Sequence, residues 1–131
     1  MLRLIQGFFF QNYQSLELGF GLEGSEMMIR EGLCRFMFYG VIIPSSPQTP
    51  NILKGEMNDR FGESLLTDIV ILPDKVSFTK QYHQDKRTLS YNFTLQEGND
   101  RIWVGRFSSS FANGDAKCII TEVPISFFEP T

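Results

Sequence analysis

The chain has 131 residues, a length typical of one domain that can bury a hydrophobic core. Hydrophobic residues make up 42% of it and charged residues 21%, a composition that excludes an intrinsically disordered protein. The net charge of −3 and the dispersed basic residues argue against a nucleic-acid-binding surface.

In the first half of the chain, turn signals recur about every ten residues between alternating segments, as in an all-β sandwich or barrel. Strands are predicted at residues 2–10, 16–22, 26–30 and 33–43. The last of these is apolar on both faces, so we expect both faces to be covered. The loop at 44–50 holds three of the six prolines, which predict a mobile surface connection without a regular ladder.

The second half is more regular. The cleanest strand places Leu89, Tyr91 and Phe93 on one face and polar residues on the other. Asn113-Gly114 predicts a hairpin turn. The predicted strands of this half are 52–58, 64–72, 76–83, 89–96, 102–109 and 117–128.

No window carries a helical apolar period, and every connection but one is short. The pattern therefore predicts a single domain over residues 1–131: an all-β, up-and-down antiparallel β-barrel of about eight to nine strands. A β-sandwich is the alternative. It fits less well, because Greek-key topologies need long crossings.

Two stretches of the second half are similar to small bacterial calycin-like barrels. Residues 55–62, GEMNDRFG, resemble the G-x-M-x-D-x-F-G stretch of that group, and residues 76–82, VSFTKQY, resemble its F-x-K-x-Y strand. With the strands that follow, the resemblance covers residues 52–109. It implies an eight-stranded meander barrel related to avidins, lipocalins and fatty-acid-binding proteins, in a group with no established activity.

The resemblance also implies roles for individual residues. Calycins carry a tryptophan on the first strand that plugs one barrel end beneath a late arginine. Phe9 stands in that place here, and Arg101 or Arg106 is the candidate arginine. Avidins line their biotin site with several tryptophans, whereas this chain has only Trp103, so biotin binding is not expected.

Lys80 is the leading candidate for a binding residue. It lies mid-strand on the same face as Phe78 and Tyr82, an apolar face expected to point inward or into an interface. A buried ammonium must be paired or lose its charge. It can hold the anionic group of a ligand, extend its head to a barrel mouth, or form an internal ion pair. The candidate partners for such a pair are Glu56, Asp59 and Glu63.

Arg106 raises the same question on its own strand, where it shares a face with Ile102 and Val104. Tyr82 and Tyr91 can add hydroxyl groups to a pocket or fill the core with partnered hydroxyls. Trp103 can stack on a ligand or mark a barrel end. The predicted ligand-binding residues are Lys80, Tyr82, Tyr91, Trp103 and Arg106.

No catalytic or metal motif is recognisable. His83 is the single histidine, and the G-x-S-x-G nucleophile motif is absent. Cys34 and Cys118 are too few for a disulfide scaffold, and we expect two buried free thiols. We therefore expect no enzyme activity, no cofactor and no metal. The chain shows no signal-peptide pattern and no membrane-spanning apolar run, which predicts a cytoplasmic protein without membrane partners.

Two functions remain open from the sequence. In the first, the barrel interior binds a small apolar or anionic ligand, because eight-stranded barrels have room for packed side chains or one small ligand. In the second, the interior is filled and the protein acts through its outer surface as a protein-interaction or homo-oligomeric module. The two-sided apolar segment 33–43 supports the second.

Overall fold

The computed structural model describes residues 2–12, 28–30, 33–98, 101–110 and 112–124. The predicted strand 16–22 and residues 125–128 of the last predicted strand lie outside these ranges. Over the described part of the chain, no helix of the length and hydrophobicity needed to cross a membrane is found. Its strands are β1 (Leu2–Asn12), β2 (Met28–Arg30), β3 (Leu33–Ser46), β4 (Thr49–Asp59), β5 (Gly62–Ile71), β6 (Lys75–Tyr82), β7 (Thr88–Leu95), β8 (Ile102–Ser108) and β9 (Asn113–Val123).

The strands pair in chain order, and the sheet closes on itself. β1 pairs antiparallel with both β9 and β3, and from β3 to β9 each strand pairs with the next. β2 adds a three-residue ladder to the start of β3. The result is a closed, eight-stranded, up-and-down antiparallel barrel. This confirms the predicted fold class, and the sandwich alternative is wrong.

Alternation of inward and outward side chains builds the core. Along β7, Leu89, Tyr91 and Phe93 are buried while the residues between them are exposed. The Tyr91 ring lies at the centre of the aromatic packing, with centroids 5.2 Å from Phe78 and 5.7 Å from Phe107. Aromatic rings therefore fill this part of the interior, and such pairs stabilise a core beyond their buried area.

The proline-rich segment is a hairpin with an irregular ladder. β3 continues to Ser46 and β4 begins at Thr49, so the prediction of a loop over residues 44–50 is wrong. The predicted loss of a regular ladder is confirmed by a register shift between Pro44 and Ser46. The ladder between β1 and β3 ends at Ile42, and the ladder between β4 and β5 starts at Gly55. Residues 44–54 thus form a two-stranded ribbon beyond the barrel wall. Proline is tolerated there, because an outer strand edge needs no N–H donor.

Asn113-Gly114 does not form the predicted hairpin turn. Both residues lie in β9, opposite β8. The turn precedes them and is closed by the Ser109 N–H, which donates to the Ala112 carbonyl oxygen at 2.8 Å. Gly114 is needed for close strand packing, since a Cβ atom there would lie 2.0 Å from the carbonyl oxygen of Phe10.

The outer face of β3 is only partly covered, with Arg35 over the Phe8 ring and Val41 half-buried. Met37 and Tyr39 are 45% and 61% exposed, so the expectation of two covered faces is wrong for this part of the chain. Leu4 on β1 and Ile119 on β9 are exposed beside them. We refer to the outward side chains of Leu4, Met37, Tyr39 and Ile119 as the β1–β3 apolar face.

Candidate functional site

A buried ion pair lies inside one end of the barrel. Lys80 on β6 donates from Nζ to Oδ2 of Asp59, at the end of β4, over 2.6 Å. Both side chains are fully buried. Of the alternatives left open for Lys80, the internal ion pair is therefore correct, and Asp59 is its partner. Glu56 is exposed, and the Glu63 carboxylate lies 3.7 Å from Nδ1 of His83 on the exterior.

Local turn geometry holds the Asp59 carboxylate in place. Its Oδ1 atom accepts the backbone N–H of Phe61 at 2.8 Å, in the turn between β4 and β5. Its Oδ2 atom accepts the Tyr82 hydroxyl at 2.7 Å in addition to the Lys80 ammonium. Three donors thus fix both oxygens, which is how a buried carboxylate is stabilised.

Three aromatic rings surround the ammonium. The Lys80 Nζ atom lies 4.9 Å from the ring centroid of Phe9, 4.7 Å from that of Tyr82 and 4.9 Å from that of Tyr91. Burial by itself lowers the pKa of Lys80, but Tyr91, Tyr82 and Asp59 around it raise that pKa above its ordinary value. The lysine is therefore a charged group stabilised by Asp59 and by cation–π contacts.

Tyr91 differs from Tyr82 in its hydroxyl group. The Tyr91 side chain is fully buried, and its hydroxyl is not bonded to Asp59, as that of Tyr82 is, but has the Lys80 ammonium as its polar neighbour. Burial raises the pKa of this hydroxyl, and burial likewise raises the pKa of Tyr82. Three of the five predicted site residues, Lys80, Tyr82 and Tyr91, thus meet around Asp59. We call these four residues the Lys80 cluster.

Trp103 lies at the opposite end of the barrel. It lines a cavity of about 500 Å³ at the mouth formed by the start of β1, the β5–β6 turn and the end of β9. We call it the mouth cavity. Its lining residues are Arg3, Ile71, Leu72, Pro73, Val76, Leu95, Trp103, Ile120 and Glu122.

Arg106 points to the exterior, so the expectation that it faces the interior is wrong. Its guanidinium lies 2.6 Å from the Asp115 carboxylate, and the two side chains are 63% and 68% exposed. It lines a shallow groove of about 640 Å³ on the outer surface. Side chains alternate along a strand, so the buried Phe107 places its neighbour Arg106 on the outer face. As a consequence, the cation above Phe9 is Lys80 and not Arg106.

Sequence reasoning missed Arg3 and Glu122, the charged pair of the mouth cavity. Their Nη2 and Oε1 atoms are 3.6 Å apart, and their side chains are 21% and 57% exposed. Arg3 lies two residues from the buried Ile5, so strand parity could have placed it inside. A charged residue at the end of a strand carries no such signal by itself.

The cysteines lie far apart in the sheet. Cys118 is a buried free thiol, and burial raises its pKa to about 12. Along β1, Gly7 pairs with Cys118 and Gln11 pairs with Cys34. Four residues of strand separate the two positions by about 13 Å, which is too far for a disulfide.

Comparisons with protein-family models, with curated proteins and with solved structures give no match. The closed antiparallel barrel is consistent with a calycin-like fold. Membership of that group stays a prediction.

Proposed function

We propose that this calycin-like barrel binds a small, largely apolar ligand that carries one anionic group, and that it does so in the mouth cavity. The observation that carries the proposal is the cavity volume of about 500 Å³ beside a charged pair. Small-molecule sites commonly occupy about 300–1,000 Å³ and occur in the mouths of β-barrels.

The walls of the mouth cavity suit an apolar ligand. Ile71, Leu95 and Ile120 supply aliphatic surface from three different strands, and the half-buried Trp103 supplies a flat aromatic one. A few polar groups in a mainly apolar pocket fix the orientation of a ligand. Arg3 and Glu122 are the charged groups among the lining residues.

The geometry of this pair favours an anion. Arg3 is mostly buried, whereas Glu122 is more than half exposed, and the two are separated by 3.6 Å. A carboxylate entering the cavity would offer the guanidinium a bidentate partner, and Glu122 can turn into water at little cost. A cationic ligand would have to approach the less exposed Arg3 charge.

The contacts of the Lys80 cluster favour a ligand site at the mouth of the barrel and not at Lys80 in the interior. The charge of Lys80 is balanced by Asp59, and three rings enclose its ammonium. An anion at that position would compete with Asp59 in a dry core, where separating a buried pair is costly. The proposed ligand site therefore includes Trp103 and does not include Lys80, Tyr82, Tyr91 or Arg106.

The test uses the fact that Trp103 is the single tryptophan. Decanoate is titrated into the protein while the Trp103 emission is followed, with decylamine as the cationic counterpart. We expect saturable binding of decanoate, and Kd at least about tenfold higher in Arg3→Met, because a charge-assisted hydrogen bond contributes about 1.5–3 kcal/mol. Arg106→Met, which removes an arginine outside the cavity, is the matched control. Unchanged Trp103 emission, or equal loss in both variants, would overturn the proposal.

A second candidate function is assembly through the β1–β3 apolar face, in a homo-oligomer or with another protein. Its support is the exposure of Leu4, Met37, Tyr39 and Ile119 on three adjacent strands. Light scattering tests the homo-oligomer. Met37→Glu is expected to dissociate it, whereas Val70→Glu, on the exposed part of β5, leaves it intact. A strict monomer at every concentration would contradict homo-oligomer formation.

A further inference from the structure

The mouth cavity ends above a layer of buried aromatic rings. Val76 is the buried residue among those that line it, and Leu95 lies on the neighbouring strand. The next inward residues along these two strands are Phe78 and Phe93, which are both 2% exposed and do not line the cavity. Phe93 pairs with Val76 across β6 and β7. We call Val76 and Phe93 the cavity floor.

Phe93 is held in place by other core residues. Its ring centroid lies 6.0 Å from that of Tyr91, 6.1 Å from that of Phe78 and 6.5 Å from that of Phe38. Across the next ladder it pairs with Gly105 of β8, where an added Cβ atom would lie only 2.8 Å from the Phe93 Cα atom. Core side chains packed in this way leave few voids larger than a water molecule. A ligand that reaches the floor therefore cannot extend further into the barrel.

The charged end of the cavity lies at its mouth. Arg3 is the partly buried cation there, and Ile5, the next inward residue of β1, is 1% exposed. Under the proposed function, the anionic group of the ligand lies at Arg3 and its apolar part points toward the floor. The cavity of about 500 Å³ has the volume of about 16 water molecules. Since a methylene group is similar in size to a water molecule, decanoate fits into the cavity and hexadecanoate exceeds it.

We propose that the cavity floor limits the length of the ligand, and that the Phe93 ring sets this limit. The ligand class is then a carboxylate with a medium-length apolar chain, close to that of decanoate, and not a long-chain one. This limit rests on the proposed function, because the anionic group at Arg3 fixes the other end of the chain. Methylene groups beyond the limit stay in water at the mouth, where they add no affinity.

A series of straight-chain carboxylates from hexanoate to hexadecanoate, titrated below their micelle concentrations with Trp103 emission as the signal, tests the limit. We expect Kd to fall about fourfold per methylene, the equivalent of about 0.8 kcal/mol, and to stop falling before hexadecanoate. A steady fall through hexadecanoate would overturn the length limit and leave the ligand site at Arg3 standing. If none of the carboxylates binds saturably, the proposed function is overturned together with the limit.

Two matched variants test whether the floor sets the limit. Phe93→Leu removes the ring but keeps an apolar side chain, and we expect the break in the series to move to acids at least two methylenes longer. Phe107→Leu is the control, because it is the same change at a ring that is 1% exposed and packs on Phe9, away from the cavity. Its break is expected to stay in place. If Phe93→Leu does not fold, Val76→Ala deepens the floor at the lining itself and is expected to move the break in the same direction. An unmoved break in the folded floor variant would overturn the proposal.

Discussion

The buried Lys80–Asp59 pair allows a double-mutant cycle with a matched surface control. Asp59→Asn leaves the Lys80 ammonium in a ring-lined core without its counter-charge, and Lys80→Met leaves the carboxylate without its cation. Removing one partner of a fully buried pair destabilises a protein by about 3–5 kcal/mol. Because domains of this size are stable by only about 5–15 kcal/mol, each single variant is expected to lose a large share of its free energy of unfolding.

The double variant, Asp59→Asn with Lys80→Met, is expected to be much less affected than the sum of the two single variants predicts. Once both substitutions are made, no charge is left in this part of the core. The new amide can still accept the Phe61 N–H with its oxygen, and its NH2 group can donate to the Tyr82 hydroxyl oxygen. We expect the double variant to lie within about 2 kcal/mol of the unmodified protein, since uncharged replacements of buried pairs are often nearly neutral. Urea unfolding followed by Trp103 fluorescence gives all four free energies of unfolding.

The control is the Arg106–Asp115 pair, which has the same closest distance of 2.6 Å but lies on the surface. Asp115→Asn is expected to cost about 0.2–1 kcal/mol, because water screens an exposed pair. The comparison therefore separates burial from contact distance. If Asp59→Asn costs no more than Asp115→Asn, the reasoning from buried charge is refuted.

Three further predictions follow from the cavity, the thiol and the strand packing. Val76→Phe, at the buried side of the mouth cavity, is expected to weaken decanoate binding at least about tenfold in the Trp103 titration without loss of the fold, because the ring fills volume that the ligand needs. Burial raises the pKa of Cys118 from 9.0 to about 12, so above pH 9 the unfolded chain releases this proton first and stability falls with rising pH. Urea unfolding between pH 9 and pH 12 gives the slope of the free energy of unfolding against pH. We expect this slope to be less steep in Cys118→Ala than in the unmodified protein, by up to about 1.4 kcal/mol per pH unit. Equal slopes in the two proteins would contradict the burial of the thiol. Gly105→Ala would place a Cβ atom 1.7 Å from the Asn92 carbonyl oxygen, and we expect this variant not to fold. Gly98→Asn, at a φ of 78° and with open space around it, is expected to fold. Circular dichroism of the two variants tests both expectations.

The fold could be predicted because most strands alternate cleanly between one polar and one apolar face. That parity alone places Lys80 and Tyr91 inside the barrel, as the structure does. It fails on β8, where Ile102 and Val104 make the outer face as apolar as the inner one. Gly105 adds no side chain to mark the inner face, so the pattern predicts the wrong side of the strand for Arg106.

The partner of Lys80 and the position of the cavity depend on tertiary geometry. Three carboxylates were candidates by sequence distance, and only the turn after β4 brings Asp59 inward. The mouth cavity joins residues from β1, β5 and β9 that are remote in sequence. Its charged pair is set by the pairing of Arg3 with Glu122 across two strands, which no local pattern encodes.

The ribbon of residues 44–54 has a consequence for the behaviour of the protein at high concentration. In a closed barrel each wall strand is paired on both sides, but this hairpin extends past the wall and its outer edges are unpaired. Unpaired edges are templates for intermolecular sheets and aggregation. Pro44 and Pro50 have no N–H to donate to an incoming strand, and they thus protect the part of the sheet that closure leaves open.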